Sequence, residues 1–177
     1  MSDILAGTEQ ISIRKISGED LNAISGHAFT VSITEPHEDL ARLEVLFAQD
    51  GFWQDDAGAI AIVEKATGRL VGTSQYYRSG PCIHGLELGY IIHAESDRCK
   101  GYATEATGLF SDFLFCTYAN VHRHQLTIEV DKAASVKVAE RCGFTREGVL
   151  RNCGFDPDNP ADCYVYSKTR ADFLQEQ

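Results

Sequence analysis

Residues 11–16, ISIRKI, alternate apolar and polar side chains, the period of a strand with one buried face. SGED at 17–20 supplies capping residues for a short helix running to Ile24. The period changes over 38–51, where Leu40, Leu43, Leu46 and Phe47 fall on one helical stripe and Gly51 offers a C-cap; an amphipathic helix is predicted. Residues 59–78 hold two β-rich runs around a turn containing Thr67 and Gly68, an antiparallel hairpin, and a strand follows over 85–93, GLELGYIIH. Helical spacing returns over 104–118 with Leu109, Phe110, Phe113, Leu114 and Tyr118, and QLTIEV at 125–130 is the next strand. A helix over 134–144 stopped by Gly143, then a strand pair in FTREGVLR and CYVYSKTR, complete the order β, α, α, β, β, β, α, β, α, β, β.

Strand, loop, amphipathic helix and strand within 85–130 make a β-α-β unit, whose two strands run parallel with a right-handed crossover. Ligands of such units gather at the carboxyl ends of the strands, where residues 93–103 lie. The fold class expected is α/β: one domain over 1–177, its sheet antiparallel on the N-terminal side and parallel in the middle, flanked by about four helices.

The formal charge of −10, from 16 basic and 26 acidic residues, speaks against a nucleic-acid partner, because phosphate binding needs a basic face. A cationic partner fits better. Between Glu35 and Asp56 the acids Glu35, Glu38, Asp39, Glu44, Asp50, Asp55 and Asp56 face one base, Arg42; a solvated helix face is the plainer explanation of that run. Six cysteines, at 82, 99, 116, 142, 153 and 163, contain no C-x-x-C pair and read as reduced residues of a cytosolic protein. No basic leader and no apolar run of about 20 residues is found, so a soluble cytoplasmic protein without a membrane partner is expected.

The candidate chemistry begins at ESDRCKGYATEA, 95–106, a basic, glycine-containing loop that opens a helix. A helix N-terminus presents free N–H groups, Gly101 lets backbone approach an anion, and Arg98 and Lys100 add charge. The spacing matches neither G-x-x-x-x-G-K-S/T nor G-x-G-x-x-G.

LELGYIIH followed by RCKGYATEA closely resembles the acetyl-CoA motif of the GNAT acetyltransferase superfamily, Gln/Arg-x-x-Gly-x-Gly/Ala. SVKVAERCGFTREGVLR, 135–151, and ADCYVYSKTRADF resemble the ribosomal-protein N-terminal acetyltransferase (RimJ/RimL-type) branch, the likeness covering about residues 10–173. The resemblance implies that the amides of Cys99, Lys100, Gly101, Tyr102 and Ala103, with Arg98 and Thr104, hold the CoA pyrophosphate. It implies also that the strand end, Ile91, Ile92 and His93, pairs with the pantetheine arm and turns an N–H to the thioester oxygen. One position departs: where the branch carries a pantetheine-binding Asn, this chain has Lys132, which cannot accept a hydrogen bond while charged but can reach a phosphate.

Direct transfer from a thioester to an amine needs an oxyanion donor and a proton acceptor, and least urgently an acid, because a thiol of pKa about 8.5 leaves readily. Glu87 is the favoured base, sharing a strand face with Gly89, Ile91 and His93; His93 and Glu95 are the other candidates, and a plain ion-pair or structural role stays open for each. Ser135 matches the branch's serine as the thiol contact and also reads as a helix N-cap, while Ala139 stands where many relatives carry a tyrosine acid. His122 and His124 lack a third ligand at suitable spacing, so no metal is expected. Trp53, with Asp55 and Asp56, falls where the family walls its acceptor pocket, a core role for Trp53 remaining open.

The activity implied is acetyl-CoA-dependent N-acetylation of an amine acceptor, with the N-terminal α-amine of a protein such as a ribosomal protein first. A small-molecule amine, antibiotic or polyamine, is the alternative, and a non-catalytic CoA-binding module the alternative of another class. A homodimer is left open.

Overall fold

A computed structural model describes residues 4–25, 27, 39–80, 83–154, 156, 158 and 160–176. Glu35, Glu38 and Cys82 lie outside the described residues. Among those described, the chain runs β1 (Ile4–Gly7), β2 (Ile11–Lys15), α1 (Leu21–Ile24), α2 (Leu40–Asp50), β3 (Ala57–Glu64), β4 (Leu70–Arg78), β5 (Leu86–Ile92), α3 (Tyr102–Thr117), β6 (Arg123–Glu129), α4 (Ala133–Arg141), β7 (Thr145–Leu150), β8 (Cys163–Thr169) and α5 (Arg170–Gln175). The expected mixed α/β architecture is present, with two additions. Strand β1 is too short to show a period, and α5 follows the last predicted strand and is announced by a capping box, Thr169 with Asp172.

All eight strands form one sheet in the order β1-β2-β3-β4-β5-β6-β8-β7, and β5–β6 is its one parallel pair. Strand β4 pairs with β5 along its length, as β6 does with β8. Between β5 and β6 the register holds only at Leu86↔His124 and Glu87↔Gln125. The sheet is therefore two antiparallel halves joined by a two-residue seam, and beyond Glu87 the halves part.

Alternation along the strands gives each face its own core. On one side Ile60, Ile62, Leu86, Leu88, Leu126 and Ile128 pack beneath α3 and α4, with Phe110 and Leu114 fully buried. On the other, Ala59, Ala61 and Val63 meet Ile16, Leu21, Ile24 and Leu43 of the α1–α2 layer. Helix α2 ends as its sequence requires: Gly51 sits at φ 64° and its N–H reaches the Phe47 carbonyl at 2.8 Å. Glu87, Gln125 and Thr127 occupy the α1–α2 side, opposite α3. Cys142 and Cys163 are buried packing residues, but Cys99 and Cys116 are exposed.

Candidate active site

Glu87 stands at the last residue pair of the parallel seam and is 5% exposed. Its Oε2 accepts Gln125 Nε2 at 2.7 Å, and the hydroxyl and backbone N–H of Thr127 face the same carboxylate and work to lower its pKa. The Thr127 amide lies just past the point where β6 loses β5 as a partner, so the Glu87 side chain closes the ladder where the strands separate. Burial pushes the Glu87 carboxyl above the usual glutamate range, against those hydrogen bonds and the nearby Arg123 charge. Gln125 is held in turn: its Oε1 accepts Arg123 at 3.0 Å, and Arg123 is paired with Glu147 at 2.6 and 2.8 Å.

Past the seam the strands enclose a cleft of about 240 Å³ that passes through the sheet. Tyr77, Glu87 and Thr127 line it from the α1–α2 side, and Tyr90, Lys132 and Ser135 from the α4 side. The His93 N–H bonds the Val71 carbonyl at 3.0 Å, which assigns the odd-numbered amides of β5 to β4. Ile91 and His93 thus spend their backbone within the sheet. Ile92, with Leu88 and Tyr90, turns its amide toward the parted edge.

The loop at the carboxyl end of β5 has the form of an anion site. Cys99 at φ 61° and Gly101 at φ 92° bend it into the left-handed region, and Gly101 starts α3 without a side-chain cap. The first helical bond runs from Glu105 N–H to the Gly101 carbonyl, leaving the amides of Tyr102, Ala103 and Thr104 ahead of it. The expected free charges are already engaged. Lys100 bonds Asp97 at 3.0 Å, and Arg98 lies 3.5 Å from Glu95. Asp97 is gripped by both guanidinium nitrogens of Arg69, at 2.6 and 2.9 Å, which with Lys100 holds its carboxyl well below the usual aspartate range. Arg69, on the β3–β4 hairpin, carries no sequence signal for this duty because it acts across 28 residues.

The other candidates divide. His93 is on the face of Glu87 but stacks on His27 at 4.3 Å, with Nε2 3.4 Å from Thr73 Oγ1. Burial pushes its pKa down to about 4, making it a poor proton acceptor near neutrality. Glu95 is exposed and lies in the loop. Ser135 lines the cleft, but the α4 N-cap is Lys132, so the N-cap reading of Ser135 is corrected to a first-turn position. Lys132 lies 3.4 Å from Glu129 and 3.5 Å from Asp131, engaged locally at the cleft rim.

Trp53, Asp55 and Asp56 sit apart from the cleft. Trp53 packs edge-on against Tyr76 and Phe113 under α3, with Lys15 over its ring, and is partly buried against the core. Asp55 and Asp56 line a separate hollow of about 540 Å³ near the C-terminus of α3, whose lining shares no residue with the cleft. His124 is fully buried, stacked on Phe115 at 3.7 Å with Nδ1 2.9 Å from Ser111 Oγ, and burial pushes its pKa down to about 3. Among the described residues no group of three His, Cys, Asp or Glu is placed to hold a metal, and no helix is long and apolar enough to cross a membrane.

A buried carboxyl at the apex of a cleft between splayed strands, and a helix N-terminus at its mouth, suit transfer between a phosphate-bearing donor and a nucleophile. Comparison with known proteins gives that arrangement a family. The chain is 28% identical to a spermidine N(1)-acetyltransferase of Vibrio cholerae over 80% of its own length and 82% of the relative's. It is 24% identical to an uncharacterized N-acetyltransferase of Bacillus licheniformis, p20, over 94% and 96%. The fold matches spermidine/spermine N-acetyltransferase SpeG of Vibrio cholerae solved with manganese ions, at a TM-score of 0.78 and 22% identity over 95% and 97% of the two chains. It also matches the Vibrio cholerae spermidine N-acetyltransferase in complex with CoA and spermine, at 0.77 and 23% over 94% and 99%. Residues 10–145 match the acetyltransferase (GNAT) domain, and the chain therefore belongs to the GNAT acetyltransferases, a family of enzymes.

Proposed function

We propose that this GNAT enzyme transfers the acetyl group of acetyl-CoA to a primary amine of a small, polycationic molecule of the polyamine class. The observation that carries the reading is Glu87, a buried carboxyl with a raised pKa where the cleft crosses the sheet. An alkylamine with the basicity of a lysine, pKa about 10.4, is charged near neutrality and needs a stronger proton acceptor than an α-amine of about 7.7 to 8.0 does. A carboxylate made more basic by burial meets that need better than His93 does. The net charge of −10 favours a cation, and the likeness to spermidine acetyltransferases supports the small-molecule acceptor over the ribosomal-protein N-terminus first expected.

In this reading the amides of Cys99 to Thr104 hold the pyrophosphate, with Arg98 and Lys100 swinging from their carboxylate partners, and the cleft edge of β5 at Ile92 aligns the pantetheine arm. Glu87 takes the amine proton through water from the α1–α2 side. The neutral nitrogen attacks the thioester carbon, a cleft-facing β5 amide stabilises the oxyanion, the nitrogen made positive by the attack loses its second proton along the same water path once Glu87 has passed the first to solvent, and the carbon–sulfur bond breaks with its electron pair going to sulfur beside Ser135. The test is release of CoA thiol from acetyl-CoA by the purified protein, with spermidine, spermine and a short diamine set against peptides with free α-amines. Polyamine-dependent release is expected. Release with peptides and none with polyamines overturns the acceptor assignment.

A further inference from the structure

Of the side-chain atoms buried without a hydrogen-bond partner among the described residues, one lines the cleft: the hydroxyl of Tyr90. Buried hydroxyls are nearly always paired, so an unpartnered one in a ligand cleft marks a contact that the ligand completes. Tyr90 is the middle of the parted stretch of β5, three residues beyond Glu87 but with its side chain on the opposite face. It packs into the core beneath α4 and faces Ser135, which is close enough to offset part of the cost of burying its hydroxyl without forming a hydrogen bond of full geometry, and the Cys142 thiol lies nearby. Ser135, Ala139 and Cys142 follow one another along that side of α4, at spacings of four and three residues. Ala139 is fully buried and brings only a methyl group, so α4 supplies no phenol there.

We propose that Tyr90 is a catalytic residue that donates a hydrogen bond to the departing CoA sulfur, its hydroxyl reaching from the strand into the place beside Ser135. The inference rests on the acetyltransferase reading above. As the tetrahedral intermediate collapses, the carbon–sulfur bond breaks and both electrons pass to sulfur, while the two protons lost by nitrogen, one before the attack and one after it, have gone by way of Glu87 to solvent. The phenol keeps its proton: a thiol has a pKa of about 8.5 and an ordinary tyrosine about 10. Burial raises Tyr90 further, so it stabilises a thiolate and does not protonate it. CoA leaves as the thiolate and takes its proton from water. Glu87 and Tyr90 thus divide the work between the two faces of the sheet, base on the acceptor side and sulfur donor on the other.

The test uses Tyr90→Phe, which keeps the ring and removes the hydroxyl. A lost hydrogen bond to a charged atom predicts a fall in kcat of roughly 10- to 100-fold, with the KM for acetyl-CoA within about twofold of the parent. The second readout is the thiolate ultraviolet absorbance of bound CoA followed against pH. In the parent protein the bound thiol titrates about one unit below the free thiol's value of about 8.5, and in Tyr90→Phe it returns toward that value, a shift that a packing role does not produce. A parent protein that turns over but whose bound thiol titrates at or above the free value overturns the proposal without recourse to any variant. So does a Tyr90→Phe protein with unchanged kcat. A parent protein that neither binds CoA nor turns over overturns the acetyltransferase reading itself.

Discussion

Replacing Glu87 by Gln separates the proposed duty of this side chain as a base from its place in the sheet. As a base, the carboxylate is worth about 10²- to 10⁴-fold in turnover. As the closure of the parallel ladder, it accepts from Gln125 Nε2 and faces the Thr127 hydroxyl and amide. A glutamine offers one oxygen and one NH₂ where three donors converge, and Gln125 cannot turn its own amide to compensate without losing Arg123 at 3.0 Å. One buried hydrogen bond is lost, a cost of about 1–3 kcal/mol, offset in part because no charge is buried any longer. For a chain of this size each kcal/mol is roughly 2–4 °C, so the melting temperature falls by several degrees while the fold survives.

The assay is kcat at saturating acetyl-CoA and amine across pH, beside calorimetric CoA binding. Parent kcat/KM rises with pH through the raised pKa of Glu87, above the ordinary glutamate range, because the base works only when ionised. Glu87→Gln should bind CoA, lose at least 100-fold in kcat and lose that acid limb. The sign for stability is opposite. Native Glu87 keeps its proton to higher pH than an unfolded glutamate, so it withdraws stability as pH rises through the raised value, and the variant lacks that slope. A variant with kcat within threefold of the parent and its acid limb intact would falsify the base assignment and leave Glu87 as the ladder's closure alone.

Three further outcomes follow from the same geometry. Lys132→Asn removes a cation engaged by Glu129 and Asp131 and supplies the amide that the family resemblance associates with pantetheine; the KM for acetyl-CoA should fall several-fold with kcat little changed, as initial rates will tell. Asp97→Asn breaks the brace between Arg69, Lys100 and the loop; about a tenfold weaker CoA affinity by calorimetry is expected, with a smaller effect on kcat, and unchanged affinity would mean that the loop holds its shape unaided. His124 is neutral and buried with a pKa of about 3 against about 6.5 when unfolded, so the unfolded chain takes up a proton that the native one refuses, and stability falls as pH drops from about 6.5 toward 3. Melting curves of His124→Phe should lose that contribution, since Ser111 can turn its hydroxyl to a helix carbonyl.

Local chemistry made much of the fold legible. The period-2 runs became β2, β3, β4, β5 and β6, Gly51 and Gly143 took the left-handed conformations their positions suggested, and the loop of 98–101 stands at the start of α3 as its glycine and small residues indicated. Alternation put Glu87 and His93 on one face, but it did not rank them. What separates them is burial and stacking by His27, a contact 66 residues away in the chain. The charges of Arg98 and Lys100 were equally visible, but the brace on their loop was not, because Asp97, the partner of Lys100, is also held by Arg69 from a hairpin whose sequence speaks only of its own turn.

The parting of β5 from β6 was the least legible feature and the one on which the chemistry depends. Both strands have enough apolar residues to pair along their length, and nothing in LELGYIIH or RHQLTIE stops the ladder at its second residue pair. The structure supplies two reasons. The Glu87 carboxylate faces the Thr127 amide, so a side-chain acceptor meets the backbone of β6 where a strand would otherwise be required. Residues 131–135 then carry the chain straight from β6 into α4, so that Lys132 and Ser135 stand at the cleft, on the far side of the opening. A polar residue next to the last pair of a parallel seam therefore does more than occupy a strand face. It stands where the two strands separate, and in this chain the group at that opening is also the one proposed to take a proton inside it.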